Sequence, residues 1–149
     1  MSNVIYRAGT INDMPAVFSL VQELALFEKA PTEVITSPEI LAEDFKKGIF
    51  RLLIAEIDSA IVGIALYYVA YSTWKGKMLF LDDLVVTESK RGLGIGRQLL
   101  NRVIEDGKKE GVKQIRWQVL EWNTPAIALY QSYKGIFLDT EWITCKLSL

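Results

Sequence analysis

The sequence predicts a mixed α/β fold, antiparallel at its start and strand–helix–strand at its centre, and three observations carry the prediction. Apolar residues switch repeatedly between alternation and helical spacing along the chain. Two long apolar stretches are separated only by Asp58-Ser59, a hairpin spacing. A turn with three glycines then joins a strand to an amphipathic helix. With 149 residues, no repeat and no linker, the whole of 1–149 reads as a single domain large enough for a real core.

The elements follow in order. Val4 to Ala8 is the first strand. Asn12 or Asp13 caps a helix with Pro15 near its start, along which Val17, Leu20, Val21, Leu24 and Phe27 recur at helical spacing. Ser37-Pro38-Glu39 opens a shorter helix that runs to about Lys47 and ends at Gly48. Residues 49–57 and 60–71 are the hairpin strands, and Leu79 to Val86 is a strand interrupted by Asp82-Asp83. After the glycine turn, Ile95, Leu99, Leu100, Val103 and Ile104 make one apolar stripe, stopped by Gly111. Lys113 to Leu120 is the next strand. Asn123-Thr124-Pro125 opens a short helix ending near Tyr130, and Phe137 to Leu147 is a final strand or pair of strands, with Cys145 as a strand core residue.

Composition removes several function classes. With no histidine, the chain has no Ser/His/Asp or Cys/His triad and no HExxH zinc site, so acid–base work falls to carboxylates, tyrosine, lysine, cysteine or water. One cysteine allows no internal disulfide. A net charge of −1 gives no global case for a nucleic-acid partner. The start is not a signal peptide and no run is long enough to span a membrane, so a cytoplasmic protein is expected. Charge is nevertheless uneven: residues 1–44 hold two basic and seven acidic side chains, residues 88–116 eight basic and four acidic. The basic segment either faces an anionic ligand or forms a solvated helix face.

That basic segment contains the glycines. In Arg91-Gly92-Leu93-Gly94-Ile95-Gly96-Arg97, glycine lets the backbone approach a ligand closely, and the first turn of the following helix offers N–H groups without intrahelical acceptors, a cradle for phosphate. Gly96 is followed by Arg97-Gln98, which does not fit a Walker A loop, and the 53 residues after Gly96 leave no room for two Rossmann halves.

The run Arg91 to Gly96 resembles the Q/R-x-x-G-x-G/A pattern of GNAT-type N-acetyltransferases. The segments YYVAYSTWKGKMLFLDDLVV before it and VLEWNTPAIALY after it look like the diamine (spermidine/spermine) and thialysine acetyltransferase branch, collinear over nearly the whole chain. The resemblance implies a central mixed sheet flanked by helices, acetyl-CoA as cosubstrate, no metal, and direct ternary-complex transfer of acetyl to the primary amine of a diamine, polyamine or thialysine/lysine-like amino acid, by a homodimer. It further implies that Leu84, Val85 and Val86 hold the pantetheine arm through backbone groups, that Arg91, Gly92, Leu93, Gly94, Ile95, Gly96 and Arg97 bind pyrophosphate, and that Asn123, Thr124, Pro125 and Ala126 touch the cofactor. Tyr130 matches the tyrosine that protonates the departing thiolate. Asp82 matches an acceptor-site glutamate, and Phe27, Glu28, Trp74, Arg116, Trp117 and Gln118 match positions near the acceptor. Ser72 and Thr140 stand where the polyamine enzymes carry acids, which points to short acceptors. The same residues leave alternatives open: another small amine or a protein amine as acceptor, or an acyl-CoA-binding module without turnover.

The residues themselves suit such chemistry. Aminolysis of a thioester needs a close neutral amine and a polarised carbonyl, and a thiolate leaves readily. An aspartate is a poor direct base for an ammonium, so Asp82 either orients the amine or a water chain, or forms an ordinary ion pair. In a regular strand Asp82 and Asp83 point to opposite faces, one toward the acceptor and one structural. Tyr130 is a general acid or a packed ring, and Trp74 an aromatic wall for a cationic amine or a packed lid.

Overall fold

The structure, a computed structural model, describes residues 3–149. It divides into two compact units, Met1–Gln118 and Val119–Leu149.

The first unit holds a five-stranded sheet in the order β1 (Ile5–Ala8), β2 (Arg51–Ile57), β3 (Ala60–Ser72), β4 (Gly76–Val86) and β5 (Ile115–Trp117). All neighbours are antiparallel except β4 and β5, which are joined through α3 (Ile95–Glu110) and run parallel. The other helices are α1 (Met14–Phe27) and α2 (Pro38–Lys46). Ser37 caps α2 by accepting the Ile40 N–H at 3.2 Å. Asp13 does not cap α1 through its side chain; its buried carboxylate accepts the Thr10 N–H at 2.7 Å and meets Arg7 at 2.8 Å, and Arg7 also meets Glu56 at 3.0 Å, tying β1 to β2 and to the start of α1.

Alternation along β3 separates two layers. Ile64 and Leu66 join Met14, Val17 and Leu20 of α1 with Leu52, Ile54 and Val85 in one core cluster. The residues between them face α3. A Cβ on Gly63 would lie 3.3 Å from Ile95 and Leu99 side-chain atoms, and the Tyr67 hydroxyl donates to the Asp106 carboxylate. Arg51 and Lys77 reach Glu110 at 2.7 and 3.4 Å, fastening the end of α3 to the sheet.

Four expectations are corrected. The sheet strand expected over 113–120 spans only Ile115–Trp117, because its ladder with β4 ends at Leu81, immediately before an irregularity at Asp82. That irregularity is a β-bulge: Leu66 pairs with Asp83 and Tyr67 with Leu81, leaving Asp82 as the extra residue. Asp82 and Asp83 therefore do not alternate as in a regular strand. Residues 137–149 form no strand, and Phe137, Trp142, Ile143 and Leu147 are 73–89% exposed; an alternating pattern makes a strand only where a neighbour completes the ladder. Cys145 is correspondingly exposed and is no core residue.

The second unit contains α4 (Thr124–Gln131). The Asn123 side chain accepts the Ala126 N–H at 3.4 Å, and Pro125 occupies the first turn, as the sequence pattern predicts.

Candidate active site

The glycine turn expected to bind an anion leads directly into the start of α3, in the first unit. Gly92 and Gly94 both have φ of +78°, the left-handed region that a side chain disfavours, so the turn itself requires them. Gly96 differs. It stands in the first turn of α3, and a Cβ there would meet only Val86 Cγ2 at an ordinary 3.8 Å. Neither the backbone nor the packing demands a glycine at this position, where it weakens a helix relative to alanine. The Gln98 N–H donates to the Gly94 carbonyl at 3.1 Å, closing the first turn of α3 directly behind the glycines. Leu93 and Arg97 are exposed here.

Arg91 is turned away from a purely solvent-facing role. Its Nε donates to the Val86 carbonyl at 3.0 Å, its guanidinium carbon lies 5.0 Å from the centroid of the Phe27 ring, and one of its terminal nitrogens is 3.9 Å from the Glu23 carboxylate. Of Leu84, Val85 and Val86, the Val85 side chain is buried in the α1 cluster, and beyond Leu81 this edge of β4 carries no ladder with β5.

The second feature is a group of carboxylates on the α1 side of the sheet. Glu28 caps the end of α1, its N–H donating to the Leu24 carbonyl at 2.8 Å, while Asp82 and Asp83 occupy the bulge. Burial pushes the Asp83 carboxyl up to about 7, helped by the negative charges of Asp82 and Glu28. Burial and then Asp82 raise Glu28, and burial raises Asp82, which keeps its opening to solvent. Burial and then Asp82 also raise the Tyr68 hydroxyl, whose ring stacks on Phe80 at 5.4 Å. Carboxylates that raise one another favour an incoming cation, since its charge relieves their repulsion. The bulge is what creates this cluster. It puts Asp83 opposite Leu66, on the face of α1, instead of consigning it to the other layer.

The remaining acceptor candidates are dispersed. Arg116 pairs with Phe80 and so shares the face of Tyr68; it is exposed, with Nε donating to the Gln114 side chain at 2.8 Å. Trp117 pairs with Leu81, itself opposite Tyr67, and belongs to the α3 face. Gln118 follows the ladder and is exposed. Trp74 is 80% exposed in the turn between β3 and β4, eight residues from Asp82 and so roughly 25 Å along an extended strand. Within this chain it is not brought to the carboxylates. In the second unit, Asn123, Thr124, Pro125 and Ala126 form the capped start of α4, and Tyr130 near its end is buried.

Sequence reasoning missed Glu23, Asp83 and Tyr68. Glu23 lies four residues before Phe27 and shares its helix face, but nothing in the sequence links it to Thr87 and Glu88, which it contacts across 64 and 65 positions. A cavity of about 390 Å³ also opens beside β2, lined by Phe45, Phe50, Arg51, Tyr67 and Asp106; it includes no residue of the cradle or of the carboxylate group.

Comparison with known proteins bears on this arrangement. The model of the Acetyltransferase (GNAT) family matches residues 17–135. The chain is 37% identical over 142 residues to a thialysine N-epsilon-acetyltransferase of Bos taurus, covering 89% of this chain and 84% of the relative. It is 34% identical over 149 residues to one of Caenorhabditis elegans, covering 99% and 93%. In three dimensions it resembles an aminoglycoside acetyltransferase from an uncultured soil metagenomic sample, with a TM-score of 0.80 at 18% identity over 98% of this chain and 96% of the other. The mixed sheet flanked by helices is the fold expected, and the chain belongs to the GNAT family of acetyl-CoA-dependent N-acetyltransferases.

Proposed function

We propose that this chain transfers acetyl from acetyl-CoA to the primary amine of a short aminoalkyl compound, a thialysine-like or lysine-like amino acid or a small diamine, by direct transfer in a ternary complex. The observation that carries the reading is the pairing within one unit of an anion cradle, at Gly92 to Arg97, with the cation-attracting carboxylates Glu28, Asp82 and Asp83. The two thialysine N-epsilon-acetyltransferase relatives support the acceptor class.

In this reading the cradle amides and Arg97 hold the pyrophosphate, the edge of β4 at Leu84 to Val86, beyond its ladder with β5, aligns the pantetheine arm, and Asn123 to Ala126 complete the cofactor contacts. The carboxylates receive the acceptor as an ammonium, and Asp82, open to solvent, passes its proton to water so that the neutral amine attacks the thioester carbonyl. The C–N bond forms as the C–S bond breaks; Tyr130 donates its hydroxyl proton to the departing thiolate, and the second proton, shed by the acylated nitrogen, goes to water, from which the Tyr130 hydroxyl is restored. The family match runs from 17 to 135, across the boundary at Gln118, which supports both units working as one acetyltransferase domain.

Acceptor length follows from charge. Ser72 Oγ is used to accept the N–H groups of Trp74 and Lys75 at 3.2 Å, closing the hairpin turn, and Thr140 is exposed. Two acids fewer than the polyamine pattern removes about 1–3 kcal/mol from binding a multiply charged amine, or roughly 5–150-fold in specificity. A thiol-release series with thialysine, lysine, ornithine, putrescine, spermine and a lysine peptide tests this: short acceptors should exceed spermine in kcat/KM by at least about fivefold. Spermine preferred by tenfold refutes the charge argument; turnover of the peptide alone makes a protein amine the acceptor; coenzyme A binding with no turnover of any amine leaves a binding module. For Tyr130→Phe, turnover should fall roughly 10–1,000-fold with coenzyme A affinity held within a few-fold. Turnover within twofold of the parent would return Tyr130 to packing.

A further inference from the structure

We infer that Glu23 is a positioning residue that sets the cofactor cradle from α1, an inference that rests on the reading of Gly92 to Arg97 as the pyrophosphate loop. One Glu23 oxygen accepts the Glu88 N–H at 2.8 Å, the other accepts the Thr87 hydroxyl at 3.0 Å, and the carboxylate faces the Arg91 guanidinium at 3.9 Å. Phe27, one turn further along α1, supports the same guanidinium from its ring face at 5.0 Å. Arg91 in turn holds the Val86 carbonyl at 3.0 Å. The segment from Val86 to Arg91 is thus grasped at its backbone, at a hydroxyl and at a guanidinium by a single face of α1, and it leads directly into Gly92.

The charge on Glu23 argues against a direct ligand role. A carboxylate beside a polyanionic ligand repels it, so on charge alone the chain would bind coenzyme A better without Glu23. Its benefit must come from geometry: a turn with two left-handed glycines has many conformations available, and cradle amides converge on one point only if the residues before them are held. These two contributions have opposite signs, which makes them separable. The link also runs further along the same helix. Glu28, five residues beyond Glu23 and so about 8 Å along α1, belongs to the acceptor carboxylates, so one short stretch of α1 positions the donor cradle and the acceptor site together.

The experiment measures coenzyme A affinity by calorimetry, with transfer from acetyl-CoA and from S-acetylpantetheine, which lacks the pyrophosphate and nucleotide. Glu23→Ala should weaken coenzyme A at least about fivefold and raise KM for acetyl-CoA alike, while transfer from S-acetylpantetheine and KM for the amine stay within twofold. Glu23→Gln, which retains acceptor oxygen for Thr87 or Glu88, should recover affinity to within threefold of the parent. Should Glu23→Ala not fold, Glu23→Asp decides, because it keeps the charge and withdraws the oxygens by a methylene; weakening supports the geometric role and parent affinity overturns it. Coenzyme A affinity in Glu23→Ala that is tighter, or weaker by less than fivefold, also overturns the role, as does an equal loss with S-acetylpantetheine, which would mark general structural damage. Gly96→Glu separates the underlying reading: if it binds coenzyme A like the parent, the loop assignment fails and this inference with it, whereas loss in Gly96→Glu with retention in Glu23→Ala removes Glu23 alone.

Discussion

Gly96 and Asp83 are each unfavourable for the fold, and under the proposed function each disadvantage falls where a ligand binds. A methyl group at Gly96 has room, meeting only Val86 at 3.8 Å, and alanine favours a helix over glycine by about 0.5–1 kcal/mol. Gly96→Ala is therefore expected to raise the melting temperature by roughly 1–4 °C while weakening coenzyme A severalfold, since the methyl enters the cradle. A thermal scan beside calorimetry checks both; stabilisation with full affinity would show that nothing approaches this residue. Asp83 titrates near 7 in the fold, against about 3.9 in the unfolded chain. Between those values the native state keeps a proton that the unfolded state has released, so stability declines as pH rises from about 4 to 7 and is lowest, for this group, above 7. Asp83→Asn should flatten that decline, read as urea midpoints across the interval. The same substitution should also reduce the gain in amine affinity near pH 7, because an arriving ammonium favours the ionised carboxylate; an unchanged pH profile in both measurements would place Asp83 outside the acceptor cluster.

At the level of elements, the sequence is legible wherever a local rule decides the structure. Pro15, Ser37-Pro38, Asn123-Pro125 and Gly111 mark helix ends within a residue or two, and Asp58-Ser59, both at positive φ, makes the predicted hairpin. The glycine turn is legible as a turn for the same reason, with Gly92 and Gly94 at positive φ ahead of α3. What escapes is set by pairing and distance. The bulge at Asp82 leaves no trace in a strand whose alternation is already interrupted by two acids, yet it ends the ladder to β5 and gathers the carboxylates. The bonds from Glu23 to Thr87 and Glu88 join segments that only the fold makes neighbours. The approach of α3 to β3 at Gly63 is another such consequence. A Cβ there would lie 3.2 Å from the Val85 carbonyl oxygen and 3.3 Å from Ile95 and Leu99, both fully packed. Gly63→Ala is accordingly expected to cost about 1–3 kcal/mol, lowering the melting temperature by several degrees. The start of α3 carries the cradle, so coenzyme A affinity should fall as well. A melting temperature within a degree of the parent would mean that α3 yields freely at this contact.

For the molecule as a whole, the question is what meets the apolar side chains between Phe137 and Leu147. Phe137, Trp142, Ile143 and Leu147 are 81%, 73%, 89% and 85% exposed, and burying a large apolar side chain contributes roughly 1.5–3 kcal/mol. If residues 142–147 become extended, Ile143, Cys145 and Leu147 share one face, a pattern that lacks only a neighbouring strand. A second copy supplies both a ladder partner and an apolar face, and a net charge of −1 puts little repulsion between copies. We therefore expect a two-fold homodimer built on the C-terminal half. Light scattering at micromolar concentration should give a mass of about 34 kDa, twice the 16.9 kDa of one chain. Replacing Ile143 and Leu147 together by aspartate should halve that mass, because both lie on that face and a carboxylate at either position would be buried without a partner. A parent protein that stays near 17 kDa rules the dimer out, and a double variant that remains dimeric moves the interface away from this segment.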